Sequence, residues 1–328
     1  VPRPSRAADH PLNRLVLGTA LVAGAAALFG TLSYIARSAA ELGLGALPFV
    51  TWRGAVGAIA VLAFTQLAVL RGSRAGGAAR AAWLPRRRAA LLAACLLGAV
   101  VNIAMFEAFL RTTIAVVLIC FYTYPALVTL AAVPLYGERL SLTRAGALAL
   151  SALGLVLVVL SPVLASGQLT LDPLGVGLAI TAALCQATFF IVAGRGFEPL
   201  SSARVATYAI FAAGALALAL ALIGGDLAGL VVPFHEPRAW LWILAGGIAG
   251  AAIPTTAILL GIGLIGPSRA AILMTIEPLV GVSLAALLLG ERPSIVQLVG
   301  GVAVLTAAII LQLVPSRVPP EPEFGPLV

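Results

Sequence analysis

The chain has no lysine at all; its 20 basic residues are all arginine. A Walker-type phosphate loop requires a lysine, so this chain has no such loop and coupling to ATP would need another subunit. Only 2 histidines and 3 cysteines occur in 328 residues. His10 and His235 stand alone, and Cys95, Cys120 and Cys185 have apolar neighbours and no ligand spacing. That pattern points to no metal centre and no cofactor. Charge is the largest shortage. Only 10% of residues are charged against 61% hydrophobic, with a mean hydropathy of +1.11. A soluble domain needs roughly 25% charged residues to cover its surface. Aromatics are also sparse, at 6%, so a site built mainly of stacked rings has little to draw on.

Apolar stretches of membrane-crossing length fill the space that the missing charges leave. They predict an all-α polytopic membrane protein with spans at about 14–36, 45–69, 90–110, 112–135 and 144–161. A second set follows at about 173–194, 203–224, 239–262, 266–289 and 295–313. Residues 1–13 and 314–328 read as polar cytoplasmic tails, and 162–172 as a connector on the opposite side. The basic start reads as the flank of a first span, not as a removable signal peptide.

The chain also repeats. Ile119–Ser141 aligns with Ile272–Ser294 at an offset of 153 residues. The offset matches Pro125 with Pro278, Gly137-Glu138-Arg139 with Gly290-Glu291-Arg292, and Ser141 with Ser294. A seam near Leu160–Pro173 divides two five-span halves, 14–161 and 173–313. Arginine sets the orientation. With both termini cytoplasmic, fifteen arginines fall inside, including Arg269 and the Arg71–Arg88 cluster. Arg37, Arg111, Arg238 and Arg292 fall outside, and Arg53 lies within a span. The cluster is explained by this bias and by anionic lipid, not by nucleic acid. Five is an odd number, so the second half enters from the opposite face. Ten helices as two inverted-topology five-helix repeats are a recurring plan of secondary transporters, with substrate held between the halves.

These motifs carry a resemblance. The run Ala108–Val158 and the pattern of Glu277, Pro278 and Leu289–Arg292 resemble the drug/metabolite transporter superfamily, specifically its EamA-type members. The likeness extends over roughly 15–313. It implies export of amino acids or other small metabolites across a bacterial inner membrane, aromatic amino acids in some members, with lipophilic cations as an alternative cargo. No ATPase subunit is implied. A membrane enzyme or a non-transporting structural or receptor subunit are the competing classes. The first would need clustered acids or histidines at an interface. The second would not need paired polar positions within the membrane.

Polar residues inside spans are the candidate substrate cavity. Glu277, beside Pro278, sits near the middle of its span, and its repeat-mate is Tyr124, beside Pro125. A proline frees a carbonyl one turn back, so both positions are candidate helix breaks. Glu277 can meet a substrate ammonium or carry a coupling proton. Alternatively, it is a packing carboxyl. Arg53 either reaches the headgroups or grips a carboxylate. Glu107 can pair with Arg53 or, one turn on, with Arg111. Asn102, Tyr122, Gln186, Ser33, Tyr34, Trp52, Tyr208, Thr255, Thr256 and Thr275 complete the candidates. The offset relates Ser33 to Gln186 and Asn102 to Thr255.

Overall fold

The computed structural model describes residues 11–70, 85–111, 114–136, 141–167, 172–197, 200–289 and 294–313. The Gly137–Arg139 and Gly290–Arg292 signatures, the expected tails apart from Pro11–Asn13, and Arg71, Arg74 and Arg80 of the Arg71–Arg88 cluster lie outside them. Among the described residues every regular element is helical.

The first half runs α1 (Pro11–Gly30), α2 (Leu32–Glu41), α3 (Ala46–Leu70), α4 (Pro85–Arg111), α5 (Ile114–Phe121), α6 (Tyr124–Tyr136) and α7 (Leu142–Ser166). The second runs α8 (Pro173–Gly194), α9 (Ser202–Ile223), α10 (Leu227–His235) and α11 (Ala239–Gly247), then a five-residue π-segment (Ile248–Ala252). It closes with α12 (Ile253–Ile265), α13 (Pro267–Leu273), α14 (Ile276–Leu289) and α15 (Ile295–Leu313). Residues 11–13, expected in a tail, are already helical. Start signals are local. Asp172 accepts from the Leu174 amide with Pro173 behind it, and Ser201 caps α9. Asp226 caps α10 through the Gly229 amide at 3.1 Å. Gly266, at φ +82°, turns α12 into α13.

Among the described residues, eight stretches are long and apolar enough to cross a membrane: Leu12–Glu41, Ala46–Leu67, Arg88–Met105, Val116–Leu135, Leu142–Ser161, Pro173–Gly194, Ser202–Ile223 and Ala239–Ile265. The count of ten expected from sequence is not reached by length and apolarity. The ninth expected span is divided into α13 and α14, and the apolar run in α15 is the shorter Ile295–Ala307. Large apolar side chains such as Ile59, Phe64, Leu92, Phe211 and Leu241 point outward, as a lipid-facing surface requires.

Packing respects the repeat. α1 lies on α12, and its counterpart α8 lies on α4. The pairs α3–α9 and α7–α15 each map onto themselves when the halves are exchanged. Close approach there rests on glycine. A methyl on Gly54 would stand 2.8 Å from the Gly214 Cα, and methyls on Gly154 and Gly300 would each stand 2.6 Å from the other's carbonyl oxygen. Burial of apolar surface drives little association in lipid, so contacts this close are how two helices hold each other.

Candidate functional site

Three of the expected spans contain an interruption. The first breaks at Thr31, the fourth at Tyr122-Thr123 and the ninth at Met274-Thr275. The offset takes Tyr122 to Thr275, so the latter two breaks are repeat-mates. Pro125 and Pro278 follow them within the first turn of α6 and α14. Neither proline has an N–H to extend the preceding helix.

The breaks meet, because α13 packs on α6. Tyr122 donates a hydrogen bond to the Glu277 carboxylate, and Tyr124 lies beside the same group. The tyrosines are buried, at 6% and 1% exposure, while Glu277 is half-buried and keeps some accessible surface. Phe121, Tyr122, Tyr124 and Phe190 form a buried aromatic cluster, with the Tyr124 ring 5.2 Å from Phe121 and 5.5 Å from Phe190. The third break touches this centre. A methyl on Gly30 would stand 2.6 Å from the Glu277 carbonyl oxygen, so the end of α1 lies directly on the α14 backbone. Thr275 is buried and donates to the Ile272 carbonyl at 2.6 Å. Its one hydrogen is thereby used, so Ser151, 2.8 Å away on α7, is the donor in their pair.

A second polar centre forms around Arg53, two turns into α3. Its guanidinium donates to the Asn102 side-chain oxygen on α4 and, at 3.3 Å, to the Gly250 carbonyl. Gly250 lies in the π-segment, where the wider i→i+5 pattern re-aims carbonyls that an α-helix would use internally. The Asn102 amide nitrogen donates to the Gly98 carbonyl at 2.8 Å. Arg53 is 6% exposed. It does not pair with Glu107. Glu107 instead stands 3.6 Å from the Arg111 Nε in a half-exposed pair one turn apart.

The remaining candidates scatter. Tyr34 packs edge-on against Trp242 at 5.8 Å, within an aromatic group that includes Trp52, Phe234 and Trp240. Trp52, next to Arg53, donates to the Leu230 carbonyl of α10 at 3.0 Å. Gln186 and Thr255 are half-buried on α8 and α12. Tyr208 is 47% exposed and faces outward, so it lines no interior wall. The Ser33 side chain lies outside the described residues.

Arg269 was overlooked. Counted on sequence as a cytoplasmic-side charge, it is 5% exposed within α13. Gly266 and Pro267 start that helix before the charge, which carries Arg269 into the packed bundle. Ser151 was missed as well, since a lone serine in an apolar run carries no signal until its partner is known.

A model of the EamA-like transporter family matches the chain twice, over residues 16–160 and 173–313. The chain is 31% identical over 206 residues to an uncharacterised transporter of Synechocystis sp., covering 62% of this chain and 59% of that relative's length. It is 27% identical over 210 residues to an uncharacterised transporter of Archaeoglobus fulgidus, covering 64% of this chain and 71% of that one. A solved crystal structure superposes with a TM-score of 0.69 at 20% identity, covering 90% of this chain and 98% of the other. At that identity the likeness concerns the fold alone.

Proposed function

From the premise that this chain belongs to the EamA-like transporter family, we propose that it is a secondary transporter exporting amino acids or similar small metabolites by alternating access. Its ten helices form two inverted five-helix repeats, 14–161 and 173–313, with both termini on the cytoplasmic face of a bacterial plasma membrane. The observation that carries this reading is the meeting of Tyr122 and Tyr124, at one interrupted span, with Glu277 at its repeat-mate. Discontinuous helices that meet between repeats give a carrier a polar centre reachable from either side. An ionisable group so far from headgroups is costly to keep, and function is its common justification.

The packing supports alternating access. α3–α9 and α7–α15 are each made of one helix from either half, and glycine contacts let these pairs slide or rock without side chains interlocking. The inner ends of the breaks open first to one face and then to the other. Glu277 binds the amino group of the substrate or the proton exchanged for it.

Uptake of radiolabelled amino acids into proteoliposomes, with and without an imposed pH gradient, tests this reading. Uptake that falls at least tenfold in Glu277→Gln is the expected result. Flux that rises with the gradient identifies proton coupling, and flux that ignores it identifies a facilitator. A folded protein that moves none of the panel, in either condition, overturns the amino-acid assignment.

A further inference from the structure

The two ends of the bundle are closed by different chemistry. With both termini cytoplasmic, the outer end is where α2 and α3 of the first half meet α10 and α11 of the second. Two hydrogen bonds cross that seam. The Trp52 Nε1–H donates to the Leu230 carbonyl of α10 at 3.0 Å, and the Arg53 guanidinium donates to the Gly250 carbonyl at 3.3 Å. Rings cross it as well. Tyr34 stands edge-on to Trp242, and Trp52 touches both Phe234 and Trp240. α10 lies over the seam like a strap: a methyl on Gly229 would stand 2.6 Å from the Pro48 Cγ in the first turn of α3.

The repeat supplies a control for this seam. The offset of 153 residues carries α3 onto α9, and α11 with the π-segment onto α4, so the outer seam has a mate at the inner end. There Trp52 and Arg53 become Val205 and Ala206, both fully buried. Tyr34 and Trp242 become Ala187 and Ala89, and Gly250 becomes Leu97 in an unbroken α-helix. The α10 sequence, Leu-Ala-Gly-Leu-Val-Val-Pro-Phe-His, falls on Arg-Ala-Gly-Gly-Ala-Ala-Arg-Ala-Ala. Packing that both ends needed would stand at both. Among the described residues, the donors, rings and strap of the outer seam have no equivalent at its mate.

Arg53 also shows how the seam can part. Asn102 belongs to the same half, is held to the Gly98 carbonyl at 2.8 Å, and accepts from the guanidinium. When the halves separate, Arg53 gives up Gly250 and keeps Asn102. A buried charge stripped of every partner would be far costlier.

We propose that Trp52, Arg53 and the α10 strap form a latch that holds the outer end shut, and that its release is the step that opens the centre outward. The latch rests on the alternating-access reading and adds which end is held, and by what. The inner mate has only apolar side chains to part at these positions, so the pair of seams favours the form closed outside and open inside.

Thiol labelling from each side tests it. The three native cysteines are replaced by alanine, and each chain receives one reporter. Ile243→Cys lies buried among the outer aromatic residues on α11, and Val205→Cys lies buried at the inner mate. A membrane-impermeant maleimide is added to right-side-out or inverted vesicles holding the full chain. Trp52→Ala is expected to raise outer labelling at position 243 about tenfold and to lower inner labelling at position 205 about threefold, since one population gains what the other loses. Trp52→Phe keeps a ring and removes the N–H, which covers the case in which the alanine variant fails to insert. It is expected to raise outer labelling about fivefold, the size of one hydrogen bond. Arg53→Gln is expected to act in the same direction. Labelling that rises at both ends means a loosened bundle, and overturns the latch while the transporter reading stands. Outer labelling unchanged in these variants does the same. A chain that responds reciprocally yet moves none of the amino-acid panel keeps the latch and loses that cargo.

Discussion

The two polar centres of this bundle differ in what their charges touch. Arg53 is gripped by a side-chain oxygen from α4 and a backbone carbonyl from the π-segment, and little of it is exposed. Glu277 has a phenol for a partner, and the residue as a whole is only partly buried. A buried charge whose hydrogen-bonding is met by protein rigidifies the elements it joins. One centre ties α3, α4 and the π-segment together, and the other lies at the junction of two interrupted spans. In sequence the two residues looked alike: single ionisable side chains in apolar runs.

The comparison can be broken most directly at its functional end. Glu277→Gln keeps the shape and removes the charge, so transport is expected to fall at least tenfold while the thermal unfolding temperature stays within a few degrees. A large drop in that temperature would make Glu277 a structural group like Arg53. Asn102→Ala is the converse test. It leaves the Arg53 guanidinium buried with one partner fewer, and a lost hydrogen bond to a charged group costs about 2–3 kcal/mol. Denaturant unfolding in detergent is the measurement, and an unchanged midpoint would mean that Arg53 finds another partner. Ser151→Ala removes the donor to Thr275 and is expected to cost about 1 kcal/mol. Glu107→Gln sharpens the contrast from the other side. A half-exposed pair one helical turn apart contributes roughly 0.3–0.5 kcal/mol, so both stability and flux should stay near those of the parent chain.

Much of the Glu277 centre was legible from residue types. Pro125 and Pro278 repeat at a fixed offset, and proline has a known local consequence, so two interrupted spans and the pairing of Tyr124 with Glu277 could be read directly. The pairing of Tyr122 with Glu277 could not, since it depends on how α6 and α13 cross. The Arg53 centre was hidden for a different reason. One of its acceptors is a backbone carbonyl, which every residue carries, and the π-segment that presents it reads Ile-Ala-Gly-Ala-Ala, a composition found throughout the chain. Its other acceptor, Asn102, lies 49 residues away. Arg269 misled because a charge in the first turn of a span expected at 266–289 counts as its cytoplasmic edge, whereas the first turn of α13 is packed inside the bundle. The count of spans was blurred by the same breaks that form the site.

The π-segment has one further consequence. Five residues spaced for a wider coil amount to an α-helix with a single residue added, and one residue is about 100° of rotation. Ile248–Ala252 therefore acts as a phase step in one long rod: it sets the angle at which all of α12 presents itself. Pro254, Ile258, Leu259 and Ile262 face inward and Ile253 faces outward because of that step. Deleting any one residue of the five would wind the rod back by that angle, turning the inward row aside and carrying Ile253 inward. The loss of a single alanine would disturb this protein more than the replacement of several.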